Sequence, residues 1–556
     1  MTSKRIFAAA SAAAALAAFP AAASAAPTVT VTAANQSIVV NGDGTDEAIT
    51  VADNGAFITV DGNATTAPAD NTFDLTVNGN GGADTLVVNT TAARTVTVNG
   101  GDGNDTITGS PENDILNGGN DLDTLNGAAG NDRISGNDAN DTMNGDAGND
   151  VLVWNPGDDD DVMNGGAGGG DDAELNGGNN NEQFSATPLA NGRVKFERLN
   201  PVPFNLDVSA DTERLVLNAN GGADSMVSDP AVSKPMLLNG GTGIDTLTAG
   251  SGADLLTGGD DNDVLDGGPG DDRIVGDRGD DDTRGSDGDD TLVWNNGDGT
   301  DQNAGQNGLD TIEVNGSPTA GDVFVIKPVP GGTRFDRTNF GNFGLDITTS
   351  EILDVHGLGG DDSFTAQPGL PLAVEGHGEG GNDSLTGAGE PDAFFGGLGN
   401  DTLDPGAGPD LADGQDGDDT LRVRDNTGDL ARGGAGTDSA QADRVDVLSD
   451  IESADVPPAI APTVDVRTKK AKIRHKRVAI KLACAAGASA DCTGRLTLIT
   501  AKRYHGLRLV LGSARYRIDA GETKTIHVRV KTLAKKGKIA AIASTNDGDS
   551  RLTLKK

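Results

Sequence analysis

Aspartates at a fixed spacing are the residues of this chain best suited to chemistry. Residues 100–153, 240–293 and 378–422 can be written as seventeen lines of nine residues, and the sixth residue of every line is aspartate. Calcium takes about six to eight oxygen ligands from carboxylates and carbonyls, so the pattern predicts a calcium-binding array. The predicted ligands are Asp105, Asp114, Asp123, Asp132, Asp141, Asp150, Asp245, Asp254, Asp263, Asp272, Asp281, Asp290, Asp383, Asp392, Asp401, Asp410 and Asp419.

Two further columns of these lines predict the elements that hold the carboxylates. The first residue is glycine in fifteen lines, and the eighth is apolar in every line except the one with Thr283. Glycine allows the positive φ of a tight turn, and one apolar residue per line points inward from a strand of about three residues. Such strands are stable only when stacked, so two lines per turn predict an all-β fold, a parallel β-roll or β-helix solenoid with its aspartates in rows. A row of carboxylates repels itself unless a cation lies within it.

The lines, such as GGDGNDTIT at 100–108 and GGTGIDTLT at 240–248, resemble the GGxGxDxUx nonapeptides of the repeats-in-toxin (RTX, haemolysin-type) calcium-binding family. The resemblance implies that the aspartates and turn carbonyls of lines i and i+2 hold one calcium ion between them, which gives roughly eleven shared sites. In that family the repeats serve toxins, proteases, lipases, epimerases and surface proteins. The motif therefore leaves the activity open.

The acidic, glycine-rich tract has a second interpretation, a disordered and solvated segment. The chain has 81 glycines and only 3% aromatic residues, a composition typical of disorder. A disordered tract has no reason to keep aspartate and an apolar residue two positions apart at a constant pitch, so the periodicity favours the roll. The two states are expected to interconvert, because repulsion without cations favours an unfolded chain.

The N-terminal residues predict secretion. Lys4 and Arg5 precede a short apolar stretch, and Ala23-Ser24-Ala25 is typical of a cleavage site, which predicts a leader of residues 1–25. A membrane anchor is the alternative, disfavoured because the stretch is short and alanine-rich and no other stretch of about 18 apolar residues exists. We expect a secreted, extracellular or cell-surface bacterial protein that uses the general secretory route.

After the leader, three similar modules are predicted at residues 26–176, 177–316 and 317–456, each with one nonapeptide block. LTVNGNGGADTLV at 75–87 matches LVLNANGGADSMV at 215–227, which supports the division. Partial lines supply further candidate calcium ligands, which are Asp84, Asp224, Asp310, Asp362 and Asp438.

The modules also carry segments outside the nonapeptides, clearest at 184–217 and 324–355. Alternating residues such as Phe196, with Gly192 and Gly332 at the bends, predict β-hairpins that extend or cap the roll. A ligand groove formed by the aligned Phe and Arg residues of these segments is the second interpretation.

Trp154 and Trp294 close the first two nonapeptide blocks within VWNPGD and VWNNGD. The third block has Arg424 near the same place, so an aromatic residue is not required there. We predict that the tryptophans pack over the last rung rather than form a platform for sugar stacking.

Residues 457–463 form a proline-rich linker, and residues 464–556 predict a basic domain. Residues 457–556 hold 23 Lys and Arg against 6 Asp and Glu, although the whole chain has a net charge of −43. Short alternating runs such as GRLTLIT predict an antiparallel β-sandwich of the immunoglobulin type. Cys484 and Cys492 are the only cysteines, and in an exported chain they favour a disulfide over free thiols or a metal site.

The basic domain is the candidate for binding a polymeric partner. Outside the cell, a basic patch favours anionic cell-wall polymers or acidic polysaccharide, with nucleic acid the least favoured. The alternatives are a solvated face or a contact with the acidic body. The patch is formed by Lys469, Lys470, Lys472, Arg474, Lys476, Arg477, Lys535, Lys536 and Lys538.

The usual catalytic motifs are absent from the sequence. There is no H-E-x-x-H, G-x-S-x-G, P-loop or complete EF-hand, and the five histidines, His356, His377, His475, His505 and His527, are scattered. We therefore expect a non-catalytic protein that folds on calcium into a rigid extracellular structural or adhesion module. The alternative is a polysaccharide-active enzyme or toxin-like effector, which a cleft of converging acids and aromatic residues in the hairpin segments would favour.

Overall fold

The computed structural model describes most of the chain upstream of residue 457 and a set of strands beyond it. The described residues are 26–32, 37–54, 56–68, 74–90, 95–341, 343–456, 464–466, 473–474, 477–484, 492–500, 510–518, 523–529, 539–545 and 548–554. The predicted leader lies outside them. No helix in these ranges is long and apolar enough to cross a membrane.

The chain divides into two units. The first comprises the described residues up to Leu152, with Gly157–Asp161 and Gly166–Gly168. The second comprises Val153–Pro156, Val162–Gly165 and the described residues from Gly169 onward. The described residues are all-β, as predicted, with one 3₁₀ turn at Ala190–Gly192. The division into three modules stays a prediction.

The strands of the first unit are β1 (Thr28–Thr32), β2 (Ser37–Asn41), β3 (Ala48–Asp53), β4 (Phe57–Val60), β5 (Asn63–Pro68), β6 (Asp74–Gly81), β7 (Thr85–Asn89), β8 (Val96–Asp102), β9 (Thr106–Thr108), β10 (Asp114–Asn120), β11 (Thr124–Asn126), β12 (Arg133–Asn137) and β13 (Thr142–Asp146). Two strands carry residues of both units, β14 (Val151–Trp154) and β15 (Val162–Gly166).

The strands of the second unit up to residue 456 are β16 (Asp172–Asn176), β17 (Gln183–Pro188), β18 (Val194–Asn200), β19 (Phe204–Val208), β20 (Arg214–Asn218), β21 (Ser225–Ser228), β22 (Met236–Thr242), β23 (Thr246–Thr248), β24 (Leu255–Asp260), β25 (Val264–Asp266), β26 (Arg273–Arg278), β27 (Asp282–Asp287), β28 (Thr291–Asn295), β29 (Gln302–Asn307), β30 (Thr311–Asn315), β31 (Val323–Val329), β32 (Gly332–Arg337), β33 (Phe343–Thr348), β34 (Ile352–His356), β35 (Ser363–Ala366), β36 (Ala373–Gly380), β37 (Ser384–Thr386), β38 (Ala393–Leu398), β39 (Thr402–Asp404), β40 (Leu411–Asp416), β41 (Thr420–Arg422), β42 (Leu430–Ala435), β43 (Ser439–Gln441), β44 (Val447–Ser449) and β45 (Ser453–Asp455).

Each unit contains a parallel β-roll with two lines per turn, as the nine-residue repeat predicts. In the first unit β9 pairs in parallel with β11, and Ile107 lies opposite Leu125. In the second unit β23 pairs with β25 in the same way, and Leu247 lies opposite Leu265. These eighth-position side chains are fully buried. The rolls are therefore held together by one stacked apolar residue per line and by the parallel ladders.

Glycine is required where the turns of neighbouring rungs touch. Gly101 has a φ of +118°, and a Cβ there would lie 2.1 Å from the carbonyl oxygen of Asn80 in the preceding rung. A side chain at this position would be strained by the backbone conformation and would also clash. The close stacking that aligns the turns thus depends on glycine.

The hairpin segments extend the rolls, as predicted. In the second unit β18 is antiparallel to both β17 and β19, while β17 pairs in parallel with β21. The same arrangement recurs with β31, β32 and β33, and β31 pairs in parallel with β35. The bend lies at Gly331, with a φ of +96°, and the predicted bend residue Gly332 is instead the first residue of β32.

Beyond residue 456 the structure describes two four-stranded antiparallel sheets. Whether they form the predicted sandwich stays a prediction, and the side chains of Cys484, Cys492 and the basic patch lie outside the described residues. The first sheet contains β46 (Val464–Val466), β47 (Ile473–Arg474), β48 (Arg477–Cys484) and β51 (Thr523–Arg529), and the second contains β49 (Cys492–Thr500), β50 (Val510–Ile518), β52 (Ile539–Thr545) and β53 (Gly548–Leu554).

Candidate metal centre

The sixth-position aspartates lie in rows at the turns that precede the strands. In fourteen of the seventeen, Oδ1 accepts a hydrogen bond from the backbone N–H of the row member one turn earlier: Asp105 N–H donates to Asp123 at 2.7 Å, and Asp123 N–H donates to Asp141 at 2.7 Å. The same 18-residue step links Asp245 to Asp263 and Asp383 to Asp401. All seventeen predicted aspartates are buried. The structure thus brings them together as the sequence predicts.

Most of these carboxylates keep one oxygen unused. Because Oδ1 is occupied by the backbone N–H, Oδ2 is the free atom, and it is buried without a hydrogen-bond partner in the large majority of the row. Asp150 receives the N–H of Asp132 at 2.8 Å in the same way as the others. The aspartates whose Oδ2 has no hydrogen-bond partner are Asp105, Asp123, Asp132, Asp141, Asp245, Asp263, Asp272, Asp281, Asp290, Asp383, Asp401, Asp410 and Asp419.

A carbonyl oxygen of the next turn lies beside many of these Oδ2 atoms. A Cβ on Gly100 would lie 2.2 Å from Asp105 Oδ2 and 2.5 Å from the carbonyl oxygen of Gly118, one turn further on. The first-position glycine therefore leaves open a space that a carboxylate and a carbonyl of successive turns both face. Gly118 repeats the arrangement, with Asp123 Oδ2 at 2.3 Å and the carbonyl oxygen of Gly136 at 2.6 Å. An all-oxygen cradle without nitrogen or sulfur suits calcium.

Three predicted ligands differ from the rest because protein donors satisfy both of their carboxylate oxygens. Asp254 Oδ2 accepts the N–H of Gly250 at 3.2 Å, and Asp392 Oδ2 accepts the N–H of Ala388 at 2.9 Å. Asp114 Oδ2 accepts the N–H of Ser110 in the same way. Each of the three belongs to the second line of its block. At these positions backbone N–H groups of the protein, and not a cation, satisfy the second carboxylate oxygen.

The rows are longer than the nonapeptide blocks. Asp84, Asp224, Asp310, Asp362 and Asp438, named from partial lines, are all buried members of a row. Five further buried aspartates of the rows were not predicted from the sequence, which are Asp161, Asp171, Asp301, Asp322 and Asp429. Two of them depart from the nine-residue period, because the steps from Asp141 to Asp161 and from Asp281 to Asp301 are 20 residues rather than 18.

Two row members are neutralised by arginine. Arg198 Nη1 donates a hydrogen bond to Glu182 Oε1 at 2.8 Å, and both side chains are at most 8% exposed. Asp322 is paired with the buried Arg337 at the equivalent place of the next hairpin segment. These arginines belong to the aligned Phe and Arg residues for which a ligand groove was the second interpretation of the sequence. At these two hairpin segments of the second unit, a buried guanidinium supplies the positive charge beside the row carboxylate.

Burial raises the pKa of the row aspartates. It raises the pKa of Asp105 to about 6, of Asp123 to about 7 and of Asp132 to about 8, with neighbouring carboxylates adding to the rise and the backbone hydrogen bond opposing it. The pKa of Asp263 and Asp272 is likewise raised to about 8. The rows are therefore poorly stable as bare anions at neutral pH.

The repeats also match a known family. The family model of the RTX calcium-binding nonapeptide repeat, in its four-copy form, matches residues 97–125, 117–152, 239–274, 257–292, 377–412 and 395–426. These segments are RTX calcium-binding nonapeptide repeats. RTX repeats bind multiple Ca²⁺ ions, which agrees with the unused oxygens of the rows. The comparison with curated proteins found no match to this chain.

The tryptophans that close the first two RTX blocks are buried packing residues. Trp154 stacks on Phe204 and Trp294 stacks on Phe343, each with ring centroids 3.7 Å apart, and both tryptophans are fully buried. They offer no face to a sugar. Trp294 does not end the roll, because β28 continues in parallel pairing with β30.

One cleft lies beside a hairpin segment, with a volume of about 570 Å³. Its lining includes Asp280, Asp298, Arg337 and Phe340. Arg337 is held by Asp322, and Asp298 accepts the N–H of Asn295 at 2.6 Å as part of a turn. Burial raises the pKa of Asp298 to about 7. The polar groups of the cleft thus have structural partners.

Proposed function

We propose that the aspartate rows hold the calcium ions of the RTX repeats and that the body of this protein folds on binding them. The observation that carries the proposal is the series of buried carboxylate oxygens that receive no hydrogen bond while facing the carbonyl oxygen of the next turn. The proposed ligands are the predicted aspartates other than Asp114, Asp254 and Asp392, together with the row members in partial lines. Each site joins successive turns, so ion binding and rung stacking reinforce each other.

A calcium titration of the full chain tests this proposal. Circular dichroism and hydrodynamic radius should show an expanded chain with little β signal in chelator, and a gain of β signal with compaction as calcium is added. Re-addition of chelator should reverse both changes. A chain that has the same spectrum and radius with and without calcium would contradict the proposal.

We further propose that the protein is secreted and acts outside the cell as a non-catalytic structural or adhesion module. The support is the predicted leader and the weak calcium affinity of extracellular modules, with dissociation constants of about 0.1–1 mM, which delays folding until after export. Recovery of the protein from the culture medium with Ala26 as its first residue is the expected result. Retention in the cytosol with residues 1–25 intact would contradict it.

The basic patch is the proposed contact with an anionic cell-wall polymer or acidic polysaccharide. We expect the full chain to co-sediment with insoluble polygalacturonate in a salt-sensitive manner. Replacement of Lys469, Lys470 and Lys472 by glutamine should weaken the association without changing calcium-dependent folding. Binding that is unaffected by salt and by these substitutions would assign the patch to a solvated face.

The polysaccharide-active alternative places its active site in the cleft that contains Asp298. Its raised pKa is the one property there that suits a general acid. Release of reducing ends from an acidic polysaccharide, abolished by Asp298→Asn, would favour this alternative. The non-catalytic proposal expects no release by either protein.

A further inference from the structure

A cluster of two histidines and two carboxylates, none of them a row member, lies on the outer face of strands β34 and β36 in the second unit. The strands β34 and β36 are parallel neighbours, and their register places Asp354 beside Glu375 and His356 beside His377. Leu353 on the same strand is fully buried in the core, so the alternate residues of β34 point outward. These two histidines are 21 residues apart and look scattered in the sequence, but the parallel register of successive turns places them side by side.

The donor atoms of the cluster converge on one point. Asp354 Oδ1 lies 3.4 Å from His356 Nε2 and 3.4 Å from His377 Nε2. Glu375 Oε1 lies 3.4 Å from His377 Nε2. The ligand atoms of Asp354, His356 and His377 all lie within 4.8 Å of one another. Two imidazole nitrogens and a carboxylate oxygen thus face a common space.

These separations fit a metal ion better than hydrogen bonds. N–H···O bonds are about 2.7–3.2 Å long, and neither Asp354 Oδ1 nor Glu375 Oε1 has a hydrogen-bond partner although both are buried. In a tetrahedral zinc site with bonds of about 2.0–2.1 Å, neighbouring ligand atoms are about 3.3–3.4 Å apart. Glu375 is only 1% exposed, so its unused oxygen has no access to bulk water.

A further carboxylate sets the tautomer of one histidine. His356 Nδ1 lies 3.0 Å from Glu379 Oε1, a distance at which the ring nitrogen donates to the carboxylate. When Nδ1 carries the proton, the lone pair of the neutral ring is on Nε2, the atom that faces Asp354. A carboxylate behind a ligating histidine is the usual arrangement at metal sites. Stacking of His377 on His356 and on Phe395, at centroid distances of 4.6 and 4.8 Å, fixes the second ring.

We propose that Asp354, His356 and His377 form a binding site for a divalent transition-metal ion such as Zn²⁺, with Glu375 beside it as a further oxygen ligand. Imidazole nitrogen selects zinc, copper or nickel over calcium, which prefers oxygen. The site therefore differs in ligand chemistry from the calcium rows of the RTX repeats. Its competitor is the proton, because the carboxylates raise the pKa of His377 to about 9 against the effect of burial.

The test uses the calcium-saturated full chain titrated with Zn²⁺, and with Co²⁺ as a spectroscopic probe. One ion per chain should bind in the presence of excess calcium, and Co²⁺ should give the intense visible absorption of a site with nitrogen and oxygen ligands. The double variant His356→Gln/His377→Gln should lose both signals. The matched control His505→Gln, which removes a histidine of the C-terminal segment, should keep both.

Calcium-dependent circular dichroism of every variant separates loss of the site from loss of the fold. If the double variant does not fold, Glu379→Gln replaces it, and zinc affinity should fall about 10- to 100-fold with the fold intact. Absence of zinc binding by the folded wild-type chain, or stoichiometric binding retained by the folded double variant, would overturn the proposal. Zinc affinity unchanged in Glu379→Gln would also count against it.

Discussion

An ionised carboxylate that is shielded from water and has no partner is costly, and proteins usually avoid it by protonation or by pairing. This chain repeats that arrangement along whole rows. The backbone N–H of one aspartate occupies Oδ1 of the next, and the second oxygen faces a carbonyl that only adds negative potential. Two oxygens of this kind repel each other but together attract a hard cation. At the scale of single residues, the instability of the empty row and the affinity of the filled row have the same cause.

Asp263→Asn should therefore change stability in opposite directions with and without calcium. The amide oxygen still accepts the N–H of Asp245, whereas the NH₂ group cannot bind a cation. With calcium about 100-fold above its dissociation constant, each lost site removes about 2.7 kcal/mol, so one or two sites lower the free energy of unfolding by about 3–5 kcal/mol. In chelator the variant should be the more structured protein. Urea unfolding followed by circular dichroism measures both effects.

Asp261→Asn is the matched control for this substitution. Asp261 is exposed two residues away, and its φ of +84° is one that asparagine tolerates well. It removes the same formal charge without touching the row. An equal effect of the two substitutions would show that net charge, not coordination, governs the response to calcium.

The raised pKa values predict an acid-stabilised state of the metal-free chain. A carboxyl whose pKa is higher in the folded state than its ordinary value of about 3.8 binds protons more tightly when folded, so its burial is tolerated at low pH and opposes folding as pH rises. Because the folded values reach about 7 for Asp123 and about 8 for Asp263, the β signal of the metal-free protein should fall between about pH 4 and pH 8. Circular dichroism of demetallated protein across this range is the measurement. A metal-free chain equally folded at pH 5 and pH 8 contradicts the burial argument.

At the scale of elements, a rung tolerates insertions as long as its strands keep register. The rows continue across steps of 18 and 20 residues and across the hairpin segments, where Glu182 still donates its N–H to Asp224 42 residues on. The turns absorb the additional residues, and the ladders keep their alignment. Arg198 and Arg337 supply positive charge at the two hairpin segments of the second unit.

Loss of one of these arginines should destabilise the roll more than loss of a surface arginine. Arg337→Met leaves Asp322 buried and uncompensated, which costs about 3–5 kcal/mol. The double variant Arg337→Met/Asp322→Asn should recover most of that loss. Arg334→Met is the control, since its partners Asp336 and Asp346 are more exposed and such pairs contribute about 0–1 kcal/mol. Urea unfolding in saturating calcium gives the free energy of unfolding of the wild type and of these three variants. Similar losses of stability in Arg337→Met and Arg334→Met would contradict the role of Arg337.

The sequence predicted the rungs well because a nine-residue period dictates both strand spacing and turn chemistry. It predicted the hairpins from alternation, but it placed one bend at Gly332 instead of Gly331, since neighbouring glycines permit either turn. It missed Asp161 and Asp301 because a longer turn hides them from a fixed period. It also missed the pairing of His356 with His377, which depends on the register of two strands and not on any local motif.

At the scale of the whole molecule, the chain carries a net charge of −43, and the negative charge lies upstream of the basic residues 457–556, so electrostatic repulsion opposes compaction of the acidic part. Simple screening and specific coordination both reduce that repulsion, and they make different predictions. At 1 M salt the Debye length is about 3 Å, so dissolved ions screen the repulsion between exposed charges that are further apart than this. This screening does not reach carboxylate oxygens buried between stacked turns.

We expect millimolar calcium to fold the metal-free chain where molar sodium chloride and magnesium at equal ionic strength do not. Sodium lacks the charge to offset two facing oxygens, and magnesium demands octahedral geometry and gives up its water reluctantly. The measurement is the midpoint of the β signal for each salt, with hydrodynamic radius as the second observable. If magnesium or sodium produced the same compact β state as calcium, the rows would be acting as a diffuse negative surface. A response confined to calcium means that the carboxylates of successive turns act as a coordination site, because only an ion that accepts an irregular cage of oxygens can complete the stack.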